Sequence, residues 1–474
     1  FVEIPAVLRY IFMKILVFYH ITNKEEIFTM SSLIDEYKSF LNEGKTEREC
    51  VRVIEAEAVK NGYKNICDVE KLLPGDKVYV SKFGKAVALF EIGTSRIENG
   101  MNILGAHIDS PRLDVKQNPV YEKDFIVYMN THYYGGIKKY QWLTMPLAIH
   151  GVVCKKNGSV VNICVGEKSD DPVFCISDIL PHLAQKQMKE TAADFIPGEN
   201  LDVIVASDCP PCESDKEKSK EKNPAKKALL ALLKETYGIE EKDLSSAELE
   251  VVPAGESRDL GFDRSLVLGY GQDDRSCAFT SVKAMFETRA SVRTNCCVCV
   301  DKEEIGSVGA TGMGSHFLEN AVAEVIARLE NYSDLTLRRC LNSSSMLSSD
   351  VNSAFDPLNA DLYDRENASF LGGGIVFNKY TGARGKSGAS DASPEFIARL
   401  RNVLDRDGVK YQMAELGKVD QGGGGTIAYL AAKYGMYVLD AGVAVLSMHA
   451  PWEITSRSDI EQAFAAYRSF LTLE

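Results

Sequence analysis

The sequence has no excess of basic residues and only 7 histidines and 2 tryptophans. Its 474 residues include 54 Lys and Arg against 67 Asp and Glu, which gives a formal net charge of −13 at pH 7. A nucleic-acid backbone requires a basic face, so this balance argues against nucleic acid as the main partner. With 45% apolar and 26% charged residues, the composition excludes a mostly disordered chain and a protein that crosses the membrane many times.

The longest apolar run, from Ile4 to Phe18, is a poor membrane span. Arg9 and Lys14 interrupt it, so it is too short and too charged for a spanning helix. The run does not resemble a signal peptide either, because no cleavage site of small residues follows it. We therefore expect residues 1–29 to be an N-terminal extension that precedes Met30. We expect no contact of the protein with a membrane.

The 12 cysteines do not follow the spacing of a secreted disulfide-rich domain. Cys209 and Cys212 form a Cys-Pro-Pro-Cys pair, which would suit a redox pair or half of a zinc site, but no second pair follows at zinc spacing. Cys296, Cys297 and Cys299 fall in an apolar stretch typical of a buried strand. This usage predicts reduced thiols in a cytoplasmic protein.

The chain changes character along its length. Strands dominate from residue 120 to 205, whereas strands and helices alternate from about residue 250 to the end, as in α/β folds. The charge-dense segment Glu213–Lys227 is predicted to be a solvated loop.

Four helices are predicted. They are Ser31–Asn42, a second helix that Thr46 and Glu49 cap and that runs to Asn61, a third at Ala228–Tyr237, and a last helix that Ser458 and Glu461 cap. The predicted strands include Lys77–Phe83 and Ala86–Ile92 as a hairpin, Asn102–Ala106, Phe125–Met129, Leu147–Lys155, Ser159–Val165, Thr294–Val300 and a broken pair within Met436–Leu446.

Five short segments place Asp, Glu or His where apolar strands end, which is where sites form in open α/β sheets. They are residues 105–111, 271–275, 301–306, 348–350 and 447–451. Each alone has an ordinary structural explanation: His107 could be a core histidine bonded to Asp109, and Glu303 and Glu304 could begin a solvated helix. Together they supply two histidines and at least three or four carboxylates. That is the donor set for a pair of divalent metals held by nitrogen and oxygen.

In chain order, these segments contain His-x-Asp-Ser-Pro, Asp-Asp-Arg, Glu-Glu-Ile-Gly, Ser-x-Asp and Met-His. This order resembles the aspartyl aminopeptidase and vacuolar aminopeptidase I family of co-catalytic zinc exopeptidases, and the likeness covers nearly everything after Met30. The resemblance implies an α/β catalytic domain, with a mixed sheet flanked by helices, built from residues 30–113 and 250–474. It also implies an inserted β-rich oligomerisation domain at residues 114–249, and a homo-oligomer based on dimers, with a dodecamer as the larger assembly.

The same resemblance assigns roles to single residues. It implies two divalent metals per chain, Zn²⁺ or alternatively Mn²⁺ or Co²⁺. The implied roles are Asp273 as the bridging ligand, His107 and Asp350 on one metal, Glu304 and His449 on the other, Asp109 as the residue that orients His107, and Glu303 as the general base. The sequence itself does not decide between Glu303 and Glu304, or between Asp273 and Asp274.

Substrate recognition is less clearly marked. Many family members have histidines where this chain has Ser353 and Asp356. A basic segment from Asn378 to Lys386 could place Lys379, Arg384 or Lys386 in the substrate pocket, to bind an acidic N-terminal side chain. A basic surface loop is the equally weighted alternative.

These observations predict a metallo-aminopeptidase that hydrolyses the N-terminal residue from peptides through a water activated by two metals. Another amide hydrolase with two zinc ions, such as a carboxypeptidase or a deacylase, is the close alternative. A metal-stabilised assembly protein without catalysis is the alternative from a different class. The intact pair of Glu303 and Glu304 argues against a protein that has lost catalysis.

Overall fold

The structure, a computed structural model, describes residues 24–208, 222–288, 291–382, 384–385 and 390–474, with side chains from residue 33 onward. Its helices are α1 Lys24–Glu43, α2 Glu47–Lys60, α3 Pro224–Tyr237, α4 Gln272–Glu287, α5 Phe317–Leu329, α6 Asp334–Asn342, α7 Pro394–Arg406, α8 Ala428–Ala432 and α9 Arg457–Phe470. Its strands are β1 Lys64–Asn65, β2 Lys77–Lys82, β3 Ala86–Glu91, β4 Met101–His107, β5 Arg112–Lys123, β6 Ile126–Tyr134, β7 Leu147–Cys154, β8 Val160–Val165, β9 Val203–Ser207, β10 Ala247–Pro253, β11 Arg258–Leu260, β12 Leu266–Gly269, β13 Thr294–Val300, β14 Ser345–Ser348, β15 Asn352–Ser353, β16 Ile375–Asn378, β17 Tyr411–Met413, β18 Tyr437–Gly442, β19 Ala444–Leu446 and β20 Glu453–Ser456.

A nine-stranded mixed sheet is flanked by helices, as predicted, in the order β1-β2-β3-β13-β4-β14-β18-β16-β17. The four central strands are parallel to one another, in the order β13-β4-β14-β18. Every residue of β4 and β13 is buried, because α1, α2, α4, α7 and α9 contribute to one core and α5, α6 and α8 to the other. Burial on both faces explains why these strands are continuously apolar in sequence.

Two further sheets complete the fold. An antiparallel six-stranded sheet, in the order β8-β7-β10-β5-β6-β9, lies between Arg112 and Pro253 in the chain. With α3 it encloses its own core around the buried Trp142. This matches the β-rich composition of residues 120–205, while the domain boundaries at 114 and 249 stay predictions. The third sheet has five strands, in the order β11-β12-β20-β19-β15. Its strand β12 ends just before α4 begins, and segments that flank this sheet contribute to the site described below.

Local patterns predicted several elements well. The capping box of α2 is present: Thr46 Oγ1 accepts the Glu49 N–H at 3.3 Å, and Glu49 Oε2 accepts the Thr46 N–H at 3.2 Å. Strands β2 and β3 form the predicted antiparallel hairpin. The buried strand β13 has the predicted bounds, Thr294–Val300.

The structure corrects three predicted helix starts. Helix α1 begins at Lys24, so it crosses the predicted end of the extension at residue 29. Helix α3 begins at Pro224, inside the predicted loop, because proline is favoured in a first helical turn. Helix α9 has Ser456 as its N-cap instead of Ser458. Residues 1–23 and the Cys209–Cys212 pair lie outside the described residues.

The ten cysteines among the described residues are free thiols. In the same part of the chain, no helix combines the length and the hydropathy needed to cross a membrane.

Candidate metal centre

Three of the predicted segments meet at one edge of the nine-stranded sheet. His107 is the last residue of β4, and Asp350 follows β14. Glu303 and Glu304 lie in a short 3₁₀ turn just after β13. Strand β4 pairs in parallel with both β13 and β14, and parallel strands bring their carboxyl ends to the same edge. The topology therefore gathers these four side chains.

The other two predicted ligands come from segments that flank the five-stranded sheet. Asp273 lies at the start of α4, just after β12, and its peptide bond to Asp274 is cis. His449 lies between β19 and β20, with a positive φ of 65°, a conformation that non-glycine residues adopt mainly where the surroundings impose it. The buried Glu453 holds both backbones: its Oε1 accepts the His449 N–H at 2.7 Å and its Oε2 accepts the Asp273 N–H at 2.9 Å.

Asp273 lies between the two histidines. Its Oδ1 is 3.3 Å from Nε2 of His107, and its Oδ2 is 3.3 Å from Nε2 of His449. Asp350 joins His107 and Asp273 in one group, and Glu304 joins Asp273 and His449 in a second. Within each group one donor atom per residue lies within 4.8 Å of the others. The two groups thus share Asp273.

Both histidines present the same ring nitrogen to this centre. Nδ1 of His107 bonds to the Asp109 carbonyl at 3.0 Å, and Nδ1 of His449 bonds to the Gly136 carbonyl at 2.9 Å. A carbonyl oxygen only accepts, so each Nδ1 carries a hydrogen, and each Nε2 offers a lone pair once its own proton is displaced. Nε2 is the atom that faces Asp273 in both cases, which is the arrangement of metal-binding histidines.

Asp109 is fully buried and organises one side of the centre. Its Oδ1 is 3.3 Å from His107 Nδ1 and accepts the Glu303 N–H at 3.1 Å, while its Oδ2 accepts the Glu304 N–H at 3.2 Å. The hydroxyl of Tyr134 donates to the same Oδ2 at 2.8 Å. One carboxylate therefore fixes the ring of His107 and the backbone of both neighbouring glutamates.

The loop after β6 brings the six-stranded sheet to the centre. Gly135 has a φ of 73°, and a Cβ there would lie 3.3 Å from the Glu304 side chain. A Cβ at Gly136 would lie 3.3 Å from Nδ1 of His449. A Cβ at either position would therefore be in tight contact with a predicted ligand, and the positive φ of Gly135 also favours glycine.

The electrostatics of the centre fit cations. Burial raises the pKa of Glu304 well above its usual range, and the charge of Asp273 adds to this. Burial also raises the pKa of Asp350, with the charges of Asp274 and Glu303 adding to it. Burial alone would lower the pKa of His107, but hydrogen bonds to Asp109 and Asp273 outweigh it and raise the pKa. Carboxylates crowded in this way require protons or metal cations as counterions.

The hydrogen bonds give a second reason to place cations here. Glu304 Oε1 is buried and has no hydrogen-bond partner, an arrangement that costs free energy unless something binds it. Asp274, the alternative bridging residue, is engaged elsewhere through its Oδ2, which accepts the His107 N–H at 3.2 Å. The nitrogen and oxygen donors present are therefore suited to divalent metals, and Asp273 is the residue that both donor groups contain.

Glu303 differs from its neighbour. It is outside both donor groups, its Oε2 lies 4.0 Å from His107 Nε2, and its side chain is 17% exposed against 4% for Glu304. Burial raises the pKa of Glu303 to about 7, where a carboxyl can exchange protons near neutral pH. This is the environment expected of a general base.

The centre opens into a cleft of about 770 Å³. Four consecutive glycines, residues 422–425, line it, and their lack of side chains leaves room for a bound chain. Tyr380 and Tyr429 line other parts of the cleft. A peptide of a few residues fits such a space.

The three predicted substrate-binding cations have different positions. Arg384 lines the cleft. Lys379 does not; its Nζ lies 4.9 Å from the ring centre of Tyr380. Lys386 lies outside the described residues. Lys418 also lines the cleft and was not singled out from the sequence.

Ser353 and Asp356, which stand where many family members have histidines, do not line the cleft. The Ser353 hydroxyl is 2.8 Å from that of Tyr363, and Asp356 Oδ1 accepts the Leu358 N–H at 3.0 Å.

Sequence reasoning missed Glu453 and Tyr134. Tyr134 contacts Asp109, 25 residues earlier in the chain. Glu453 contacts His449, four residues earlier, but also Asp273, 180 residues earlier, so no local motif marks either role. A weak signal exists for Glu453, since a carboxylate in a strand as buried as β20 requires partners.

Comparisons with known proteins bear on the family to which this chain belongs. The model of the aminopeptidase I zinc metalloprotease family, M18, matches residues 40–471. A probable M18 family aminopeptidase 1 from Clostridium acetobutylicum is 54% identical over 451 residues, which cover 94% of this chain and 95% of that protein. The crystal structure of an M18 aminopeptidase from Thermotoga maritima superposes with a TM-score of 0.89 at 42% identity, covering 96% of this chain and 98% of that one.

A more distant match, the mApe1 dodecamer from S. cerevisiae, has a TM-score of 0.72 at 22% identity, covering 92% of this chain and 95% of that one, and shows a shared fold. The predicted family, the mixed α/β fold and the hydrolase class are confirmed. The chain belongs to the M18 family of zinc aminopeptidases.

Proposed function

We propose that this aminopeptidase holds two divalent cations per chain, both Zn²⁺, with Asp273 between them. His107 and Asp350 complete one site, and Glu304 and His449 complete the other. The observation that carries this proposal is that the two oxygens of Asp273 face different histidines, each at 3.3 Å from Nε2. A bidentate carboxylate in this position can bind two ions at once.

The protein's own groups then divide the chemistry. When bound, the two cations supply the positive charge that polarises the scissile carbonyl and lowers the pKa of the attacking water. Glu303 takes the proton from that water and delivers it to the leaving amine, a role that its partial exposure and its pKa near 7 support. Asp109 keeps the His107 ring and the Glu303 backbone in position.

The first test is a substrate panel with metal analysis on the same purified sample. We expect hydrolysis of free N-terminal peptides to require two metals per chain. Cleavage at the carboxyl end or removal of an N-acyl group, with no aminopeptidase activity, would instead support the other amide hydrolases. Full metal loading without turnover of any peptide would support the non-catalytic assembly protein.

We also propose that Arg384 selects acidic N-terminal side chains, because it lines the cleft that contains the predicted ligands. An ion pair with a guanidinium in a partly desolvated pocket favours carboxylate side chains. Arg384→Gln should lower kcat/KM for aspartyl and glutamyl peptides more than for leucyl peptides. Lys379→Gln is the matched control, since Lys379 does not line the cleft. Equal or better kcat/KM on leucyl peptides in the unmutated protein would reject the acidic pocket and leave the metal proposal intact.

Assembly and location complete the proposal. We propose a homo-oligomer based on dimers, in which the β-rich residues 114–249 provide contacts, and the dodecamer of the yeast relative is the larger assembly to test for. Several large apolar side chains between residues 173 and 188 are exposed in the single chain, which supports an interface there. The free thiols support a reducing, cytoplasmic location.

A further inference from the structure

A second group of potential metal ligands lies outside the catalytic cleft. Glu49 is on α2, His150 on β7 and Cys164 on β8. His150 and Cys164 are directly paired across the antiparallel strands. One donor atom from each of the three residues lies within 4.8 Å of the other two. The group therefore joins a helix of the nine-stranded sheet to two strands of the six-stranded sheet.

His150 is held between two carboxylates. Its side chain is 2% exposed; its Nδ1 is 2.9 Å from Glu49 Oε1, and its Nε2 is 3.1 Å from Glu167 Oε1. The second oxygen of each carboxylate is fixed by the backbone, with Glu49 Oε2 accepting the Thr46 N–H and Glu167 Oε2 accepting the Gly255 N–H, both at 3.2 Å. The cluster is thus pre-arranged on three sides.

We propose that Glu49, His150 and Cys164 bind a further thiophilic divalent cation, of which Zn²⁺ is the natural choice. Carboxylate oxygen, imidazole nitrogen and thiolate sulfur are all zinc ligands. Nδ1 of His150 binds the ion and Nε2–H donates to Glu167, which matches the carboxylate–histidine–zinc pattern of natural sites. Cys164 is exposed, so the ion has an entry path and water can fill the fourth position.

The charges balance when the ion is bound. Binding releases the thiol proton of Cys164 and any proton on Nδ1 to solvent. The ion and the ammonium of Lys45, which lies 3.5 Å from Glu167, then offset the thiolate and the two carboxylates. Without the ion, a doubly protonated His150 that donates to both carboxylates is the competing arrangement. The ion would act as a clamp between α2 and the six-stranded sheet.

Cobalt substitution of the full-length chain tests the proposal. Cys209→Ser and Cys212→Ser are introduced first, so that this pair cannot supply sulfur. After chelation and reloading with Co²⁺, we expect a sulfur-to-cobalt charge-transfer absorption and one more bound cobalt per chain than in the same protein with Cys164→Ser. Cys154→Ser, at the exposed end of β7, is the matched control and should keep both signals.

Two results would overturn the proposal: no charge-transfer absorption in the parent protein, or no difference in cobalt content between parent and Cys164→Ser. If Cys164→Ser misfolds, Glu49→Gln is the second variant to test. Glutamine at this position still satisfies the capping box of α2, but the anionic ligand is lost. It should weaken cobalt binding at this site, and unchanged binding counts against the proposal. The ligands proposed for the catalytic centre are only nitrogen and oxygen donors, so this readout is independent of the catalytic proposal.

Discussion

Glu303 and Glu304 are neighbours in sequence with different surroundings in the structure. The Oε2 of Glu304 lies 3.5 Å from Nε2 of His449 and its side chain is 4% exposed, whereas Glu303 is outside both donor groups and is 17% exposed. The sequence could not separate them, because the distinction depends on the direction that each side chain takes from one 3₁₀ turn. These surroundings support the proposal that Glu304 is a ligand and Glu303 the base.

This difference predicts opposite effects of two isosteric changes. Glu303→Gln should retain both metals and lower kcat by roughly 10²–10⁴-fold, because proton transfer is lost while the donor groups stay intact. Glu304→Gln should lose metal. Elemental analysis and peptide kinetics on the same samples check both. Metal loss in Glu303→Gln would mean that the two roles are exchanged.

Substitution of Glu453 should weaken metal binding, although no sequence motif marks this residue. Its carboxylate accepts the backbone N–H groups of Asp273 and His449, so Glu453→Gln would turn one acceptor into a donor that opposes a backbone N–H. We expect metal affinity to fall by about 10–100-fold, as for other residues that orient ligands.

Competition with a chelator of known affinity measures the effect of Glu453→Gln. Asp459→Asn is the matched control, because Asp459 is also buried and accepts two backbone N–H groups, from Gly372 and Gly374 at 2.8 Å each, but does not line the cleft. An equal loss of metal affinity in both variants would show a general loss of stability and not positioning of the ligands.

At the scale of single elements, Asp459 in the first turn of α9 predicts a pH-dependent stability. Burial raises the pKa of Asp459 to about 6, although the N–H groups of Gly372 and Gly374 lower it in part. The unfolded chain therefore ionises this group at lower pH than the folded chain, and ionisation costs stability as pH rises from about 4 through 6. Above that window the cost is constant, at up to about 3 kcal/mol.

Asparagine cannot ionise, so the stability of the unmutated protein relative to Asp459→Asn should fall between pH 4 and pH 7. Urea unfolding of both proteins after metal removal measures this difference. A difference that does not change with pH would contradict the assignment of a raised pKa to Asp459.

The elements that could be predicted from sequence are those with a local cause. Strand β13 and the capping box of α2 were predicted because an apolar run and a Thr-x-x-Glu pattern need no distant partner. The Asp-Asp and Met-His segments could be recognised as site contributors, but their meeting depends on the pairing of β12, β19 and β20. The roles of Glu453 and of the Gly136 carbonyl arise only in tertiary structure, and so no sequence pattern marked them.

At the scale of the whole molecule, the exposed apolar side chains between residues 173 and 188 predict association. Light scattering at micromolar concentration should give a mass that is a multiple of the single chain. Leu183→Lys and Met188→Lys should lower that mass, because a buried lysine in an apolar interface lacks a partner. Phe262→Lys, at the fully exposed tip between β11 and β12, is the control and should leave the mass unchanged. A mass of one chain in the unmutated protein would refute the assembly.

Anomalous diffraction at the zinc edge, from crystals of the zinc-loaded protein, would locate the bound metals relative to Asp273. We expect two anomalous peaks flanking the Asp273 carboxylate, one beside His107 and Asp350 and the other beside Glu304 and His449. A single peak at this centre after full zinc loading, or two peaks bridged by Asp274 with Asp273 outside their coordination, would contradict this arrangement.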